Sequence, residues 1–214
     1  MNDTSTTSLQ GTAYAVDDDA FFLDALALTL QNAGLDVRPY RTGKEFLRNY
    51  RTDGTTCCLV LDVSLPDLSG LEIQQELSAR GETVPIVFLT GHADVSTSVA
   101  ALKNGAFHFL EKPLDDDELV RSVTEALRWH KQRREREQAN AGVLQKFETL
   151  TARERQIMSM VVRDNSSKQI ARELGISPRT VEHHRAHIMK KMDASSLNEL
   201  VIMSVICGVR ELRL

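Results

Sequence analysis

The sequence predicts two domains of different fold class, a parallel α/β sheet followed by a small all-helical domain. Three observations predict this division. Strand-like and helical patterns alternate five times between residues 12 and 128, which is typical of a doubly wound parallel sheet. No Pro or Gly interrupts residues 115–141, and beyond residue 147 the pattern is purely helical. A long helix is therefore expected to join the two domains.

The predicted strands of the first domain are short apolar runs. We expect them at residues 13–16, 37–40, 57–62, 86–90 and 107–110, with helices over 21–33, 43–50, 71–79, 95–104 and from residue 115. The third run is hydrophobic from Cys57 to Leu61, as expected of a strand buried on both faces. The predicted sheet has five parallel strands in the flavodoxin-like order 2-1-3-4-5.

The two ends of this domain have different compositions. The helix that begins near residue 115 has apolar positions in its first half, but residues 128–138 are polar on nearly every face apart from Trp129. We expect residues 129–147 to form a semi-rigid helical linker that continues this helix and frays near Gly142. Residues 1–11 lack the basic and apolar regions of a signal peptide and are expected to be a disordered leader.

Helix starts are marked repeatedly in residues 148–214. Three pairs have capping-box spacing, in which two side chains satisfy backbone donors at a helix start: Thr151 and Glu154, Ser166 and Gln169, and Ser196 and Glu199. Ser177 followed by Pro178 marks a fourth start. The pattern predicts four helices, the second and third joined by a tight turn at Gly175 as a helix-turn-helix.

The net charge of −4 conceals a segregation of charge along the chain. Residues 1–128 hold 20 acids and 10 bases, residues 129–147 hold 2 and 5, and residues 148–214 hold 8 and 11. An acidic part joined to a basic part indicates a different partner for each, and a basic helical domain suits nucleic acid.

Cysteine content and hydropathy favour a cytoplasmic protein. The three cysteines, Cys57, Cys58 and Cys207, lie in apolar segments without the spacing of a zinc site, so we expect buried thiols in a reducing compartment. No run of 18 apolar residues appears, so no membrane partner is expected.

Acidic side chains follow two strands that the predicted order makes neighbours. Asp17, Asp18 and Asp19 come after the first strand and Asp62 ends the third. Carboxylates that converge at this edge repel each other unless a cation intervenes, and oxygen ligands suit Mg²⁺. Asp62 alone could equally begin a loop. Four further acids, residues 115–118, are assigned to the first turn of a helix, where they complement its dipole.

Thr90 and Lys112 follow the fourth and fifth strands. A hydroxyl and an ammonium beside a metal-bound carboxylate could hold a phosphoryl group. Singly, Thr90 reads as a turn residue and Lys112 as a solvated charge. Together with the acids, they predict a phosphoryl-binding site at one edge of the sheet.

Residues 12 to about 128 resemble the receiver domains of two-component response regulators. The matching segments are Val16-Asp-Asp-Asp19, Leu61-Asp-Val-Ser-Leu-Pro-Asp-Leu-Ser-Gly70, Leu89-Thr-Gly-His92 and Phe109-Leu-Glu-Lys-Pro113. The resemblance implies that Asp62 accepts a phosphoryl group from a phosphohistidine on a sensor histidine kinase. It also implies a Mg²⁺ site formed by Asp17, Asp18, Asp62 and the main-chain carbonyl of Ser64, with Asp19 peripheral.

The same resemblance assigns the remaining receiver residues. Lys112 would lie at the phosphoryl group, Thr90 and Phe109 would form the conformational switch, and the peptide before Pro113 would be cis. Leu65 stands where the family usually has Met, a volume-conserving difference.

Residues from about 149 to 209 resemble the LuxR-type DNA-binding domain. The matching segments are Leu150-Thr-Ala-Arg-Glu-Arg155, Lys168-Gln-Ile-Ala-Arg-Glu-Leu-Gly-Ile-Ser177 and Thr180-Val-Glu-His-His-Arg185. Together, the two resemblances indicate a response regulator of the FixJ/NarL type.

The second resemblance implies a set of DNA contacts on the helix that begins at Pro178. Its base-facing positions would be Glu182, His183 and Ala186. Phosphate contacts would come from Lys168, Arg179, Thr180, Lys190 and Lys191. Glu182 departs from the Lys or Arg often found there; a carboxylate accepts from cytosine N4 but repels phosphates. His184 and His187 are expected to pack or to touch backbone, and a three-histidine zinc site is not expected.

Helical spacing places Val181, Ile188 and Met192 on the inward face of that helix. The last helix, residues 196–209, is apolar on more than one face, which predicts a dimer contact, with a fully internal helix as the alternative.

The predicted function is a response regulator whose phosphorylation switches promoter binding, with RNA polymerase as a further partner and a homodimer as the phosphorylated form. One alternative is a phosphorylation-independent DNA-binding transcription factor with a relict receiver. The other is a phosphatase of the haloacid dehalogenase type, which would need an Asp two residues after Asp62, where this chain has Ser64. The protein is not expected to be an enzyme beyond adding or removing its own phosphoryl group.

Overall fold

The computed structural model describes residues 11–51, 54–91 and 105–210. These residues form two compact units that divide between Arg133 and Arg134. Residues 1–10 of the leader predicted over residues 1–11 lie outside the described residues, as does the predicted helix at residues 95–104. Within the described part of the chain, no helix has both the length and the apolar character needed to cross a membrane.

The first unit contains a five-stranded parallel sheet in the order β2-β1-β3-β4-β5, which confirms the predicted order. Its strands are β1 (Thr12–Val16), β2 (Asp36–Tyr40), β3 (Cys57–Asp62), β4 (Ile86–Thr90) and β5 (His108–Glu111). Every residue of β1, β3 and β4 is buried, whereas β2 and β5 at the sheet edges are partly exposed. The continuous apolar runs therefore belong to strands covered on both faces.

Helices cover both faces of this sheet. They are α1 (Ala20–Asn32), α2 (Gly43–Asn49), α3 (Gly70–Ala79) and the first part of α4 (Asp116–Glu148). One core joins α1 and α4 to the sheet, and a second core contains Phe46 of α2 with Ile73 and Leu77 of α3. Helix α4 is also tied to the sheet by His130, whose buried Nδ1 accepts a hydrogen bond from the Cys57 N–H at 2.9 Å. Cys57 and Cys58 are buried free thiols, as predicted, whereas Cys207 is half-buried.

Helix α4 is continuous through the predicted linker. It runs for 33 residues without a break at Gly142, so the expectation of fraying there is wrong. A glycine inside a helix costs only about 1 kcal/mol relative to alanine. Beyond Gly142, Val143 and Phe147 pack against the core of the second unit. That packing holds the last turns of α4 in helical form.

The second unit adds four helices, as predicted: α5 (Ala152–Val161), α6 (Ser167–Leu174), α7 (Pro178–Met192) and α8 (Leu197–Ile206). Gly175 ends α6 with a positive φ of 64°, which glycine adopts without strain, and the chain turns there into α7.

Two of the three predicted capping boxes are present, at Thr151 and at Ser166. The third is incomplete. Ser196 accepts from the Glu199 N–H, but the Glu199 carboxylate accepts from the backbone and hydroxyl of Ser195 rather than from Ser196.

The first capping box also anchors a buried ion pair. The carboxylate of Glu154 is 2.6 Å from the Lys191 ammonium, and its side chain is 4% exposed. Burial alone would raise the pKa of Glu154. Hydrogen bonds from Lys191 and from the backbone and hydroxyl of Thr151 outweigh burial and lower the pKa to about 2. The ionised carboxylate therefore links the start of α5 to the end of α7.

Replacing this carboxylate should destabilise the second unit. We expect Glu154→Ala to reduce its free energy of unfolding by about 2 kcal/mol, since the capping box is lost and Lys191, whose side chain is 35% exposed, loses its partner. In the native protein this contribution should be complete above pH 4.5, the ordinary pKa of glutamate, and should disappear as the pH falls towards 2. Amide hydrogen exchange of α5 in the full chain measures this free energy.

Glu72 provides a matched control, because it completes the same capping box with Ser69 at the start of α3 but is exposed. Glu72→Ala should cause a much smaller loss in its own unit. Equal losses in the two variants would show that the ion pair with Lys191 contributes nothing beyond capping.

Candidate functional site

Three carboxylates meet at the carboxyl ends of two neighbouring strands. Asp17 and Asp18 follow β1, and Asp62 is the last residue of β3. One oxygen of each lies within 4.8 Å of the others. Asp17 and Asp62 are buried and Asp18 is exposed, so the cluster is reached from solvent on the Asp18 side. The parallel pairing of β1 with β3 brings together acids that are 44 or more residues apart in the chain.

Lys112 joins the cluster from beyond β5. Its ammonium is 2.6 Å from a carboxylate oxygen of Asp17 and 3.5 Å from one of Asp62. Its backbone N–H donates to the Thr90 carbonyl at 2.7 Å, and the peptide to Pro113 is cis, as the receiver resemblance implied. Lys112 also lies over the ring of Phe22, with 4.1 Å between its Nζ atom and the ring centroid. This ring contact has no signature in the sequence, since 90 residues separate Phe22 from Lys112.

Opposing influences act on the Asp62 carboxyl. Burial raises its pKa most, and the negative charge of Asp17 raises it further. The Lys112 ammonium and a hydrogen bond from the Ser64 N–H lower the pKa, but the net shift is upward. A cation placed among these oxygens would favour the ionised form. The donor set is therefore chemically suited to a hard divalent ion such as Mg²⁺.

The backbone behind Asp62 is closely packed. A Cβ atom added at Gly70 would lie 2.7 Å from the Asp62 carbonyl oxygen and 2.9 Å from the ring of Phe88. A side chain at this position would therefore push the end of β3 or the ring of Phe88 out of place.

The other predicted receiver residues lie on the strands beside Asp62. Thr90 is buried at the end of β4, one residue beyond Leu89, which pairs in register with Asp62. Phe109 is half-buried in β5 and pairs with Phe88, with 6.1 Å between ring centroids.

Two groups of acids outside the cluster have local structural roles. Asp19 caps α1 by accepting from the N–H groups of Phe21 and Phe22, in line with its predicted peripheral place. Asp116, Asp117 and Glu118 occupy the first turn of α4, in line with the predicted role of residues 115–118.

Helix α7 separates an inward from an outward face as predicted. Val181, Ile188 and Met192 are buried. The predicted DNA-contacting side chains that are exposed are Arg179, Thr180, Glu182, His183, Ala186 and Lys190 on α7 and Lys168 on α6. These residues form the solvent-facing surface of the helix-turn-helix.

Two residues of the predicted DNA set already have partners inside the unit. Glu182 accepts a hydrogen bond from the Ser167 hydroxyl, which ties α7 to the start of α6. The Lys191 ammonium binds Glu154 and also donates to the Thr149 carbonyl at 3.2 Å. These contacts favour structural roles for both, and neither was evident from the sequence because the partners are distant along the chain.

The histidines of α7 do not all pack inward. His184 is half-buried, but His187 is exposed, and its ring centroid is 4.2 Å from that of His183. The two rings lie one helical turn apart on the outward face.

A parallel α/β domain with this acidic cluster and its lysine has the architecture of a receiver domain, and the second unit has that of a helix-turn-helix domain. Comparison with known families agrees. Residues 14–124 match the family described as response regulator receiver domain, and residues 148–204 match bacterial regulatory proteins of the luxR family. The chain belongs to the response regulators that combine a receiver domain with a LuxR-type DNA-binding domain.

Relatives are similar over nearly the whole chain. Nodulation protein W of Bradyrhizobium diazoefficiens is 40% identical over 202 residues, covering 94% of this chain and 88% of the relative. Transcriptional regulatory protein FixJ of Azorhizobium caulinodans is 40% identical and covers 92% of each chain. The solved structure of response regulator StyR is 37% identical with a TM-score of 0.81, covering 91% of this chain and 98% of that one.

Membership in this family implies a sensor kinase and DNA as partners. The family consists of DNA-binding response regulators rather than classical enzymes. Receiver domains typically bind Mg²⁺ at an acidic pocket, and this chain has a cluster of three aspartates at the corresponding edge of the sheet.

Proposed function

We propose that Asp62 is the phosphoacceptor of this response regulator and that its phosphorylation by a sensor histidine kinase switches DNA binding by the second domain. The observation that carries the proposal is the convergence of Asp17, Asp18 and Asp62 within 4.8 Å, with the Lys112 ammonium among them. We take residues 12–128 as the receiver, 129–147 as the linker and 148–214 as the DNA-binding domain. We place the protein in the cytoplasm, because its proposed target is bacterial chromosomal DNA.

In the proposed transfer, an Asp62 oxygen forms a new P–O bond to phosphorus. The P–N bond to the kinase histidine breaks, and that nitrogen keeps the electron pair. Mg²⁺ would be held by Asp17, Asp18, Asp62 and the Ser64 carbonyl, where it would neutralise charge on the phosphoryl oxygens. The protein's own catalytic part would be limited to accepting and losing its phosphoryl group.

Two side chains would register the phosphorylated state. Lys112 would pair with a phosphoryl oxygen, since its ammonium is already 3.5 Å from Asp62. The Thr90 hydroxyl would donate to another phosphoryl oxygen, and the half-buried Phe109 ring would move inward behind Thr90.

The exposed residues Phe21 and Leu28 of α1 offer an apolar surface for the kinase, because α1 begins beside Asp18.

The second domain would read promoter DNA with the outward face of α7. His183 and Ala186 would face bases, with Glu182 restrained by Ser167. Lys168, Arg179, Thr180 and Lys190 would contact phosphates.

We also propose that the phosphorylated protein forms a homodimer through α8, where Ile202 is 65% exposed. At the promoter it would also contact RNA polymerase.

Phosphate labelling should identify the acceptor. With acetyl phosphate and Mg²⁺, we expect the full chain to be labelled and Asp62→Asn to lose labelling by a factor of about 100 or more, because a neutral amide replaces the attacking carboxylate. Removal of Mg²⁺ with EDTA should also abolish labelling. Mass spectrometry of the intact chain measures the phosphorylated fraction.

Asp117→Asn is the matched control for lost negative charge, since it removes one acid from the separate acidic turn of α4. It should be labelled normally. Full labelling of Asp62→Asn would contradict the assignment of the acceptor.

Salt dependence should identify the phosphate contacts on DNA. For a genomic site found by footprinting, Lys168→Ala and Arg179→Ala should each weaken binding and reduce the slope of log K against log salt by about one. Lys191→Ala should leave the slope unchanged and destabilise the domain, because its ammonium binds Glu154. A slope of log K against log salt that is reduced in Lys191→Ala would instead support the predicted contact of Lys191 with a DNA phosphate.

The same titration tests the switch. Acetyl phosphate should increase the DNA affinity of the native chain but not that of Asp62→Asn. An affinity that acetyl phosphate leaves unchanged in the native chain would favour a phosphorylation-independent regulator with a relict receiver.

A further inference from the structure

The ammonium of Lys112 lies among three partners of different kinds. It is 2.6 Å from Asp17, 3.5 Å from Asp62, and 4.1 Å from the centroid of the Phe22 ring. The Lys112 side chain is 21% exposed, so much of the hydration of its charge is replaced by these contacts. A cation over an aromatic face is attracted by the ring quadrupole, and more strongly when it is partly desolvated.

The proposed reaction uses the carboxylate oxygens of both acidic partners for something other than binding Lys112. Asp17 would have to give oxygen to the metal ion, and Asp62 would have to carry the phosphoryl group. Each use weakens the hold of that carboxylate on Lys112. The Phe22 ring is neutral and has no oxygen to offer the metal ion, so its attraction for the ammonium persists throughout the transfer.

The ring is held in place by the start of α1 and by the core of the domain. The N–H of Phe22 donates to the capping carboxylate of Asp19 at 3.2 Å, which fixes its backbone at the start of α1. The Phe22 side chain is partly buried and packs against the core that joins α1 and α4 to the sheet. Its face is therefore a fixed surface against which the flexible lysine stem can rest.

We propose that Phe22 is a positioning residue for the phosphoryl transfer: its ring holds the Lys112 ammonium beside Asp62 when Asp17 turns to the metal ion. The inference rests on the proposed function, because it assigns Lys112 to the phosphoryl group. A positioning role differs from a packing role, because a positioning Phe22 affects the reaction only through the charge of Lys112.

Nuclear magnetic resonance tests the contact without metal or phosphodonor. In the full chain, the ε-methylene protons of Lys112 should be shifted upfield by the ring current of Phe22. The shift should disappear in Phe22→Leu and remain in Phe22→Tyr, which keeps the aromatic face. An unshifted Lys112 signal in the native chain would overturn the proposal.

A double-mutant cycle tests the function of the contact. The initial rate of labelling by acetyl phosphate with Mg²⁺ should fall about 3- to 30-fold in Phe22→Leu, the range expected for a partly desolvated cation over a ring. Phe22→Tyr should restore most of the rate. In a Lys112→Ala background, Phe22→Leu should slow the rate no further, because the cation is absent.

Phe107→Leu is the matched control. Phe107 is also a partly buried aromatic on the same core, but it precedes β5, whereas Lys112 follows that strand. It should be labelled at the native rate. Equal losses in Phe107→Leu and Phe22→Leu, or an undiminished effect of Phe22→Leu without Lys112, would show a packing role and refute the proposal. Absence of labelling in the native chain would instead refute the proposed function, and the resonance experiment would still decide whether the contact exists.

Discussion

The receiver site depends on the sheet holding carboxylates close together although their negative charges repel each other. Asp17 and Asp62 are both buried, and burial together with their mutual repulsion raises the pKa of Asp62. The Lys112 ammonium compensates part of this repulsion through contacts with both carboxylates. The parallel sheet fixes the arrangement, since β1, β3 and β4 are buried along their whole length and their ends have little freedom to separate. The site thus concentrates negative charge that Lys112 compensates only in part.

Much of this site was predictable because it lies at strand ends. Apolar runs identify β1 and β3, and a parallel sheet brings their carboxyl ends to one edge. The sequence alone therefore predicts that Asp17, Asp18 and Asp62 lie close together. The contacts of Lys112 with Phe22 and of Lys191 with Glu154 were not predictable, since 90 and 37 residues separate the partners. No periodicity relates them. They depend on where side chains of helix ends and loops come to rest after the sheet and the helices have packed.

The second domain shows how such unpredicted contacts change the interpretation of a motif. The outward face of α7 has the predicted side chains, yet Glu182 is bonded to Ser167 and Lys191 to Glu154. A carboxylate that would repel DNA phosphates is thereby given a hydrogen-bond donor within the protein. A lysine that the pattern assigned to DNA is also paired with Glu154 at the start of α5. Lys168, Arg179 and Lys190 are exposed, and they provide the positive charge for an electrostatic attraction to DNA.

Helix α4 continues through Gly142, where the sequence predicted fraying, because tertiary packing holds both of its ends. Leu119, Val123 and Leu127 anchor its first half in the receiver core, and Val143 and Phe147 anchor its last turns in the core of the second unit. Nucleation is the unfavourable step in helix formation, and here both ends are nucleated by tertiary packing. The polar stretch between them needs only propagation, which residues 131–141 favour through their Lys, Arg, Glu, Gln and Ala content. A change in the packing at either end would therefore act first on the helicity of the polar stretch, where no apolar core opposes it.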